Sequence, residues 1–244
     1  MQFDPPLIPA TLLARYKRFL ADVRMANGEV MTVHCPNTGA MTNCIVPESP
    51  CWLSVSANPK RKYRHTLEIA TALGGCHACV NTVRANALVV EGINNGVISE
   101  LQGYDQMRSE VPYGNEGSRI DILLQQPPAR TLTNKSVLNS CYVEVKSVTY
   151  GDIDGIGYFP DAVSTRASKH LRELIRVAEQ GYRAVVLFCV QHTGIACVKP
   201  ADHVDQSYGA LLRQAVERGV DVLAYQVTMS PVEIKVTRQV KVCL

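Results

Sequence analysis

Residues 182–190, YRAVVLFCV, are almost unbroken in apolar side chains, and no other stretch constrains the fold as much. A strand with one wet face alternates polar and apolar residues, so a run that is apolar on both faces needs cover above and below. The neighbouring patterns supply that cover. Upstream, STRASKHLRELIRVAEQG sets Ala167, Leu171, Leu174, Ile175 and Ala178 on one helical face and Arg166, Lys169, Arg172 and Arg176 elsewhere, with Gly181 past its end. Downstream, SYGALLRQAVERG (207–219) is another amphipathic helix, followed by the strand-like DVLAYQV (221–227) and a last β-like run, VEIKVTRQVKVCL.

Between residues 80 and 150 the pattern predicts a helix and three strands. In VNTVRANALVVEGI, Val83, Ala87, Val90 and Ile93 recur at helical spacing and Asn94-Asn95-Gly96 stops the run. The strands are MRSEVPY (107–113), SRIDILL (118–124) and CYVEVKSVT (141–149), with GNEG as a hairpin connection and 125–140 as a long loop. Helix, three strands, helix, strand is the order of an α/β core with a central mixed sheet. Before residue 80 the texture differs. Short period-two runs such as RYKRFLADV (15–23) and VMTVHC (30–35), separated by ANGE, PNTG and ANPK, predict a small antiparallel barrel or sandwich. The boundary falls near residue 80, giving domains 1–80 and 81–244. With 244 residues, 46% of them hydrophobic, the chain can bury a core in both.

Three charges interrupt these apolar strands. Glu144 and Lys146 stand two apart and share a strand face, while Asp121 lies between Ile120 and Ile122 in the preceding strand. If the strands pair, the two carboxylates approach each other, a hard oxygen site suited to Mg²⁺ or Mn²⁺. A protonated Lys146 cannot ligate the ion; it can orient a water or offset charge on a phosphoryl oxygen. The competing reading is a buried salt-bridge cluster with no chemistry. Glu91 on the first helix and Glu110 in the first strand are further carboxylates that this metal site could draw on.

The stretches HCPNTGAM (34–41), NPKRKYRHTLE (58–68), VNT-x-x-AN (80–86), SRIDILL, YVEVKSVT, YFPDAV (158–163) and KHLREL (169–174) resemble, in one order along the whole chain, the sugar fermentation stimulation protein family. The resemblance implies a two-domain α+β and α/β chain. An N-terminal OB-fold-like β-barrel precedes a restriction-endonuclease-like α/β domain of the PD-(D/E)xK type, with DNA binding as the family's general assignment. By motif position Asp121 takes the place of the PD acid, and Glu144 and Lys146 that of the (D/E)xK pair. Two departures stand out. Ile120 replaces the Pro, and Ala167 and Ser168 occupy the two positions before Lys169 where the family pattern has Gly and Gln.

A net charge of +3 is too small to argue for nucleic acid by itself, so the clusters matter. Lys60, Arg61, Lys62 and Arg64 surround Tyr63, and Arg15, Lys17 and Arg18 flank Tyr16. Cations around an aromatic ring suit a groove for single strands in an OB-fold, or a solubilising loop. Arg119, Lys169 and His170 are candidate phosphate contacts near the metal. The functional expectation is a DNA-binding protein, on single or double strands, with Mg²⁺-dependent phosphodiester hydrolysis. The alternative is a non-cleaving DNA-binding regulator of sugar (maltose-type) metabolism genes. A homodimer stays open as its assembly.

Other chemistries lack their signatures. There is no GxxxxGK[ST], GxSxG or GxGxxG, and GDIDGIGYF has Val163 where a calcium loop needs Glu. Nine scattered cysteines, with one CxxC at Cys76 and Cys79 and no second half at zinc spacing, read as free thiols. The acidic, proline-rich start lacks a long apolar run and nowhere do eighteen apolar residues run together, which predicts a cytoplasmic protein without a membrane span.

Overall fold

The computed structural model describes residues 1–126 and 140–244. Residues 127–139 of the expected long loop lie outside the described residues.

The N-terminal strands are β1 (Ile8–Tyr16), β2 (Leu20–Met25), β3 (Val30–His34), β4 (Ser49–Val55), β5 (His65–Thr71) and β6 (His77–Cys79). They pair in the order β3-β2-β1-β4-β5-β6, and a parallel β3–β5 contact closes the first five into a barrel. Leu12, Val23, Val33, Leu53 and Leu67 fill it, all fully buried. This is an OB domain. Its first hairpin corrects one expectation: RYKRFLADV is two strands, because Lys17 (φ 47°) and Arg18 (φ 64°) turn the chain between β1 and β2. Tight hairpins need positive φ at both central residues and normally signal it with Asn-Gly; Lys-Arg gives no such cue.

Then follow α1 (Arg84–Asn94), β7 (Gln106–Tyr113), β8 (Ser118–Gln125), β9 (Ser140–Val148), β10 (Tyr150–Gly151), β11 (Ile156–Phe159), α2 (Thr165–Glu179), β12 (Arg183–Val190), β13 (Cys197–Pro200), α3 (Gln206–Glu217), β14 (Asp221–Met229), β15 (Ile234–Gln239) and β16 (Lys241–Val242). A mixed six-stranded sheet runs β15-β14-β12-β9-β8-β7, with β12 parallel to both neighbours. As its composition requires, β12 is covered on both faces. Val185, Leu187 and Cys189 join the core under α1; Ala184, Val186, Phe188 and Val190 join the core under α2 and α3. Ser164 caps α2 by accepting the Ala167 N–H. The inner face of α1 is Ala85, Leu88, Val89, Gly92 and Ile93. The expected Val83 and Ala87 lie outside it, because Val83 precedes the first turn and is 76% exposed.

The barrel and the second body share one core. Phe3, Ile69 and Cys79 pack in the same cluster as Leu88, Val143 and Tyr225, and Trp52 packs against that cluster with its ring edge-on to His77. At this junction Glu68 of β5, 1% exposed, accepts two hydrogen bonds from Arg84 (2.6 and 2.7 Å), one from Asn81 (2.9 Å) and one from Ser54 (2.6 Å).

Cys197 and Cys243 form a disulfide, against the expectation of free thiols; the parallel pairing of β13 with β16 brings them together. The other seven are free, and burial pushes the Cys44, Cys51 and Cys79 thiols up to about 12. Among the described residues no helix is long and apolar enough to cross a membrane.

Candidate acid site and nucleic-acid surface

The site begins where two strands part. The β8–β9 ladder runs from Gln125↔Ser140 to Ile122↔Val143 and stops. Ile120 and Ile122, two residues apart, pack into opposite cores, so β8 turns over at Asp121. The Asp121 side chain takes up what the backbone leaves: Oδ2 accepts the Val145 N–H at 2.7 Å, and Oδ1 accepts Asn86 Nδ2 of α1 at 2.8 Å. The acid thus wedges the fork open. Burial first, then the neighbouring Glu144 charge, raise its carboxyl above the ordinary value, against the Val145 and Asn86 hydrogen bonds and the Lys146 charge.

Glu144, 2% exposed, points to the α2 side. Its Oε1 accepts Lys146 Nζ at 2.6 Å and also meets Nδ1 of the buried His170. Burial works to raise the Glu144 carboxyl, but the His170 contact and the Lys146 ammonium overcome it and hold the group below its usual value. Oε2 is buried without a hydrogen-bond partner among the described residues, as is the Tyr113 hydroxyl. Burial, and then the Glu144, Glu173 and Asp121 charges, push the Tyr113 phenol up.

An orphaned carboxylate oxygen beside a second carboxylate that resists ionisation fits a divalent cation, which would relieve both costs. The donors are oxygens, as Mg²⁺ or Mn²⁺ requires. Among the described residues no third His, Cys, Asp or Glu completes a three-ligand cluster. This corrects the two auxiliary carboxylates. Glu91 is held by the Met1 ammonium at 2.7 Å, five residues along α1 from Asn86 and on another face. Glu110 stands across from Asp121, but its φ of 55° interrupts the β7–β8 ladder there and its side chain is exposed.

The basic residues divide in two. Lys60, Lys62 and Arg64 are exposed in the β4–β5 loop and Lys17 in the β1–β2 turn; none makes an ion pair among the described residues. In an OB-fold these two loops border the ligand face. Others are engaged within the protein. Arg61 hydrogen-bonds His34 Nδ1; Arg15 donates to the Arg18, Asn37 and Gly39 carbonyls, and Arg18 to that of Thr38. Arg119 is exposed and donates to the Glu110 carbonyl, and Lys169 is half-buried on α2. His170 is buried and faces inward on Glu144, so it is not placed to reach a phosphate from solvent. The side chain that spacing missed is Asn86. It sits in the VNT-x-x-AN stretch, yet an amide at the start of a helix has no periodic signature.

Two family models match: the SfsA N-terminal OB domain over residues 13–80 and the sugar fermentation stimulation protein RE domain over residues 83–233. The chain is 56% identical, over 99% of its length and 100% of the relative's, to a sugar fermentation stimulation protein homolog of Saccharophagus degradans. It is 57% identical to one of Teredinibacter turnerae, over 100% of both chains. Among solved structures it is similar to Pyrococcus furiosus SfsA in complex with Ca²⁺, with TM-score 0.83 and 26% identity over 100% of this chain and 98% of that one. An OB barrel fused to a mixed α/β sheet, matched along its length by these relatives, places the chain in the sugar fermentation stimulation protein (SfsA) family.

Proposed function

We propose that this protein binds DNA through its barrel loops and hydrolyses phosphodiester bonds at Asp121, Glu144 and Lys146. The observation that carries the reading is the buried, unpartnered Oε2 of Glu144 beside Asp121 at the strand fork. The Ca²⁺ complex of the Pyrococcus furiosus relative supports a cation-binding role. Asp121 and Glu144 would hold Mg²⁺ or Mn²⁺, which supplies Lewis-acid polarisation of the phosphoryl oxygen and a more acidic water. The chain's own residues do the rest. Asn86 and the Val145 N–H fix the Asp121 carboxylate, and His170 fixes that of Glu144. Lys146, its ammonium already within the site, offsets charge growing on the phosphoryl group. Lys17, Lys60, Lys62 and Arg64 hold the DNA backbone and make affinity fall with salt.

Purified protein should nick DNA with Mg²⁺ or Mn²⁺, stop with chelator, and lose about 10²–10³-fold in rate as Glu144→Ala. Equal cleavage by wild type and Glu144→Ala would remove the catalytic assignment. A second reading, a DNA-binding regulator of sugar-metabolism genes that does not cut, draws on one observation: the Lys146 ammonium is spent on Glu144 and no third ligand joins the acids among the described residues. It expects no cleavage by wild type and salt-dependent DNA affinity unchanged in Lys146→Ala.

A further inference from the structure

Between the barrel and the second body, lined in part by Ser147 next to Lys146, lies a cleft of about 200 Å³ that the reaction proposed above does not use. Its walls come from both parts: Asn37 and Gly39 from the barrel, Thr82 from the approach to α1, and Thr149, Tyr158 and Asp161 from the chain beyond Lys146. Two elements tie it to the fork. Thr149 is three residues past Lys146, about 10 Å along the chain, and Thr82 is about one helical turn from Asn86, the Asp121 donor. The barrel wall is fixed by the same turn that carries Lys17, since Arg15 and Arg18 bond the carbonyls of Asn37, Thr38 and Gly39. The basic turn and the barrel wall of the cleft are therefore braced as one unit.

The lining tells what part of that strand would enter. Tyr150 and Tyr158 face each other across β10 and β11 with ring centroids 5.2 Å apart, both half-buried, and both stand edge-on to the exposed His203. Their polar tips are held, Tyr150 on His203 Nε2 at 3.1 Å and Tyr158 on Asp152 Oδ2 at 3.0 Å, and both residues line the cleft. Asp161 accepts the Met41 N–H at 3.1 Å and makes no ion pair among the described residues. Gly39 keeps room for it, because a Cβ there would collide with its carboxylate. An unneutralised carboxylate repels phosphate but accepts the ring or exocyclic N–H of a base. Aromatic faces with a carboxylate and hydroxyls suit a nucleobase, and the volume is below the ~300–1,000 Å³ of pockets for drug-sized ligands.

We infer that this cleft takes one unstacked base, with Tyr150 and Tyr158 as its platform, so that the ligand is a single strand or a frayed end rather than intact duplex. The inference rests on the DNA-binding reading above and deepens it. It is tested by binding alone, with the full chain in chelator so that nothing is cut. The probes are a short single strand carrying 2-aminopurine and the same strand in a blunt duplex. Wild type should bind the single strand at least about tenfold more tightly and quench the fluorophore by stacking. Tyr158→Leu should abolish the quench and weaken single-strand binding about 5- to 150-fold, with duplex binding unchanged. Tyr150→Leu, at the cleft rim, does the same if Tyr158→Leu does not fold. Equal affinity for both probes without quenching, or full quenching by the folded variants, overturns the base cleft and leaves DNA binding in place. No binding of either probe at low salt overturns both.

Discussion

Asp121 and Glu144 show how far a residue's placement can be read from its neighbours in the chain. A charge inside an apolar, period-two run is conspicuous, so Asp121, Glu144 and Lys146 are legible without coordinates. Their supports are not. Asn86 lies 35 residues from Asp121, and His170 reads as the polar side of KHLREL until the helix is docked and turns it onto Glu144. His192 is silent in the same way: 2% exposed, it accepts the Gly194 N–H at Nδ1, its Nε2 has no partner among the described residues, and burial lowers it to about 4. An unfolded histidine titrates near ~6.5. Between those values the unfolded chain binds the extra proton, so stability rises with pH across the window. The contribution is complete above the unfolded value and is lost as pH falls towards 4, about 3 kcal/mol in all. Urea midpoints measured at pH 7 and 4.5 should drop further in wild type than in His192→Asn, which keeps an acceptor but cannot be protonated.

At the scale of elements, alternation and helical period gave the order of the helices and of the central-sheet strands in the second body but not the short strands β10, β11 and β13, which pair in a separate sheet, and phase and turn type were harder. The α1 stripe was misplaced because Val83, the strongest apolar residue at its start, stands just outside the first turn. The β1–β2 turn was missed because its sequence, Lys17-Arg18, is not one that positive φ favours. Left-handed backbone at two non-glycine residues costs on the order of 1–2 kcal/mol each, and an outlier of this kind points towards function. The turn keeps cations where glycine would be more stable. Lys17→Gly is therefore expected to raise stability by about 1 kcal/mol in urea melts while lowering the salt slope of the proposed DNA binding by about one. A variant that gains stability with an unchanged slope would leave Lys17 without a phosphate to hold.

For the molecule as a whole, two bodies were legible and their union was not. Phe3, Trp52 and Ile69 look, in sequence, like ordinary barrel residues; only the structure shows them packed on α1 and the central sheet. Glu68 is the clearest case, a buried carboxylate in an otherwise apolar strand end whose partner Arg84 begins the next domain's helix. Removing it leaves Arg84 half-buried and unmatched, so Glu68→Ala is expected to cost about 3–5 kcal/mol, seen as a lower denaturation midpoint. Because a single core spans the junction, wild type should melt in one transition by both far-UV circular dichroism and tryptophan fluorescence from Trp52. The shared core also limits how this architecture can be rearranged. A barrel cut away at residue 80 would present Phe3, Trp52 and Ile69 to water as an adhesive face. The OB domain is thus not a portable cassette, and any lineage that reshuffled it would have had to redesign the seam at the same time.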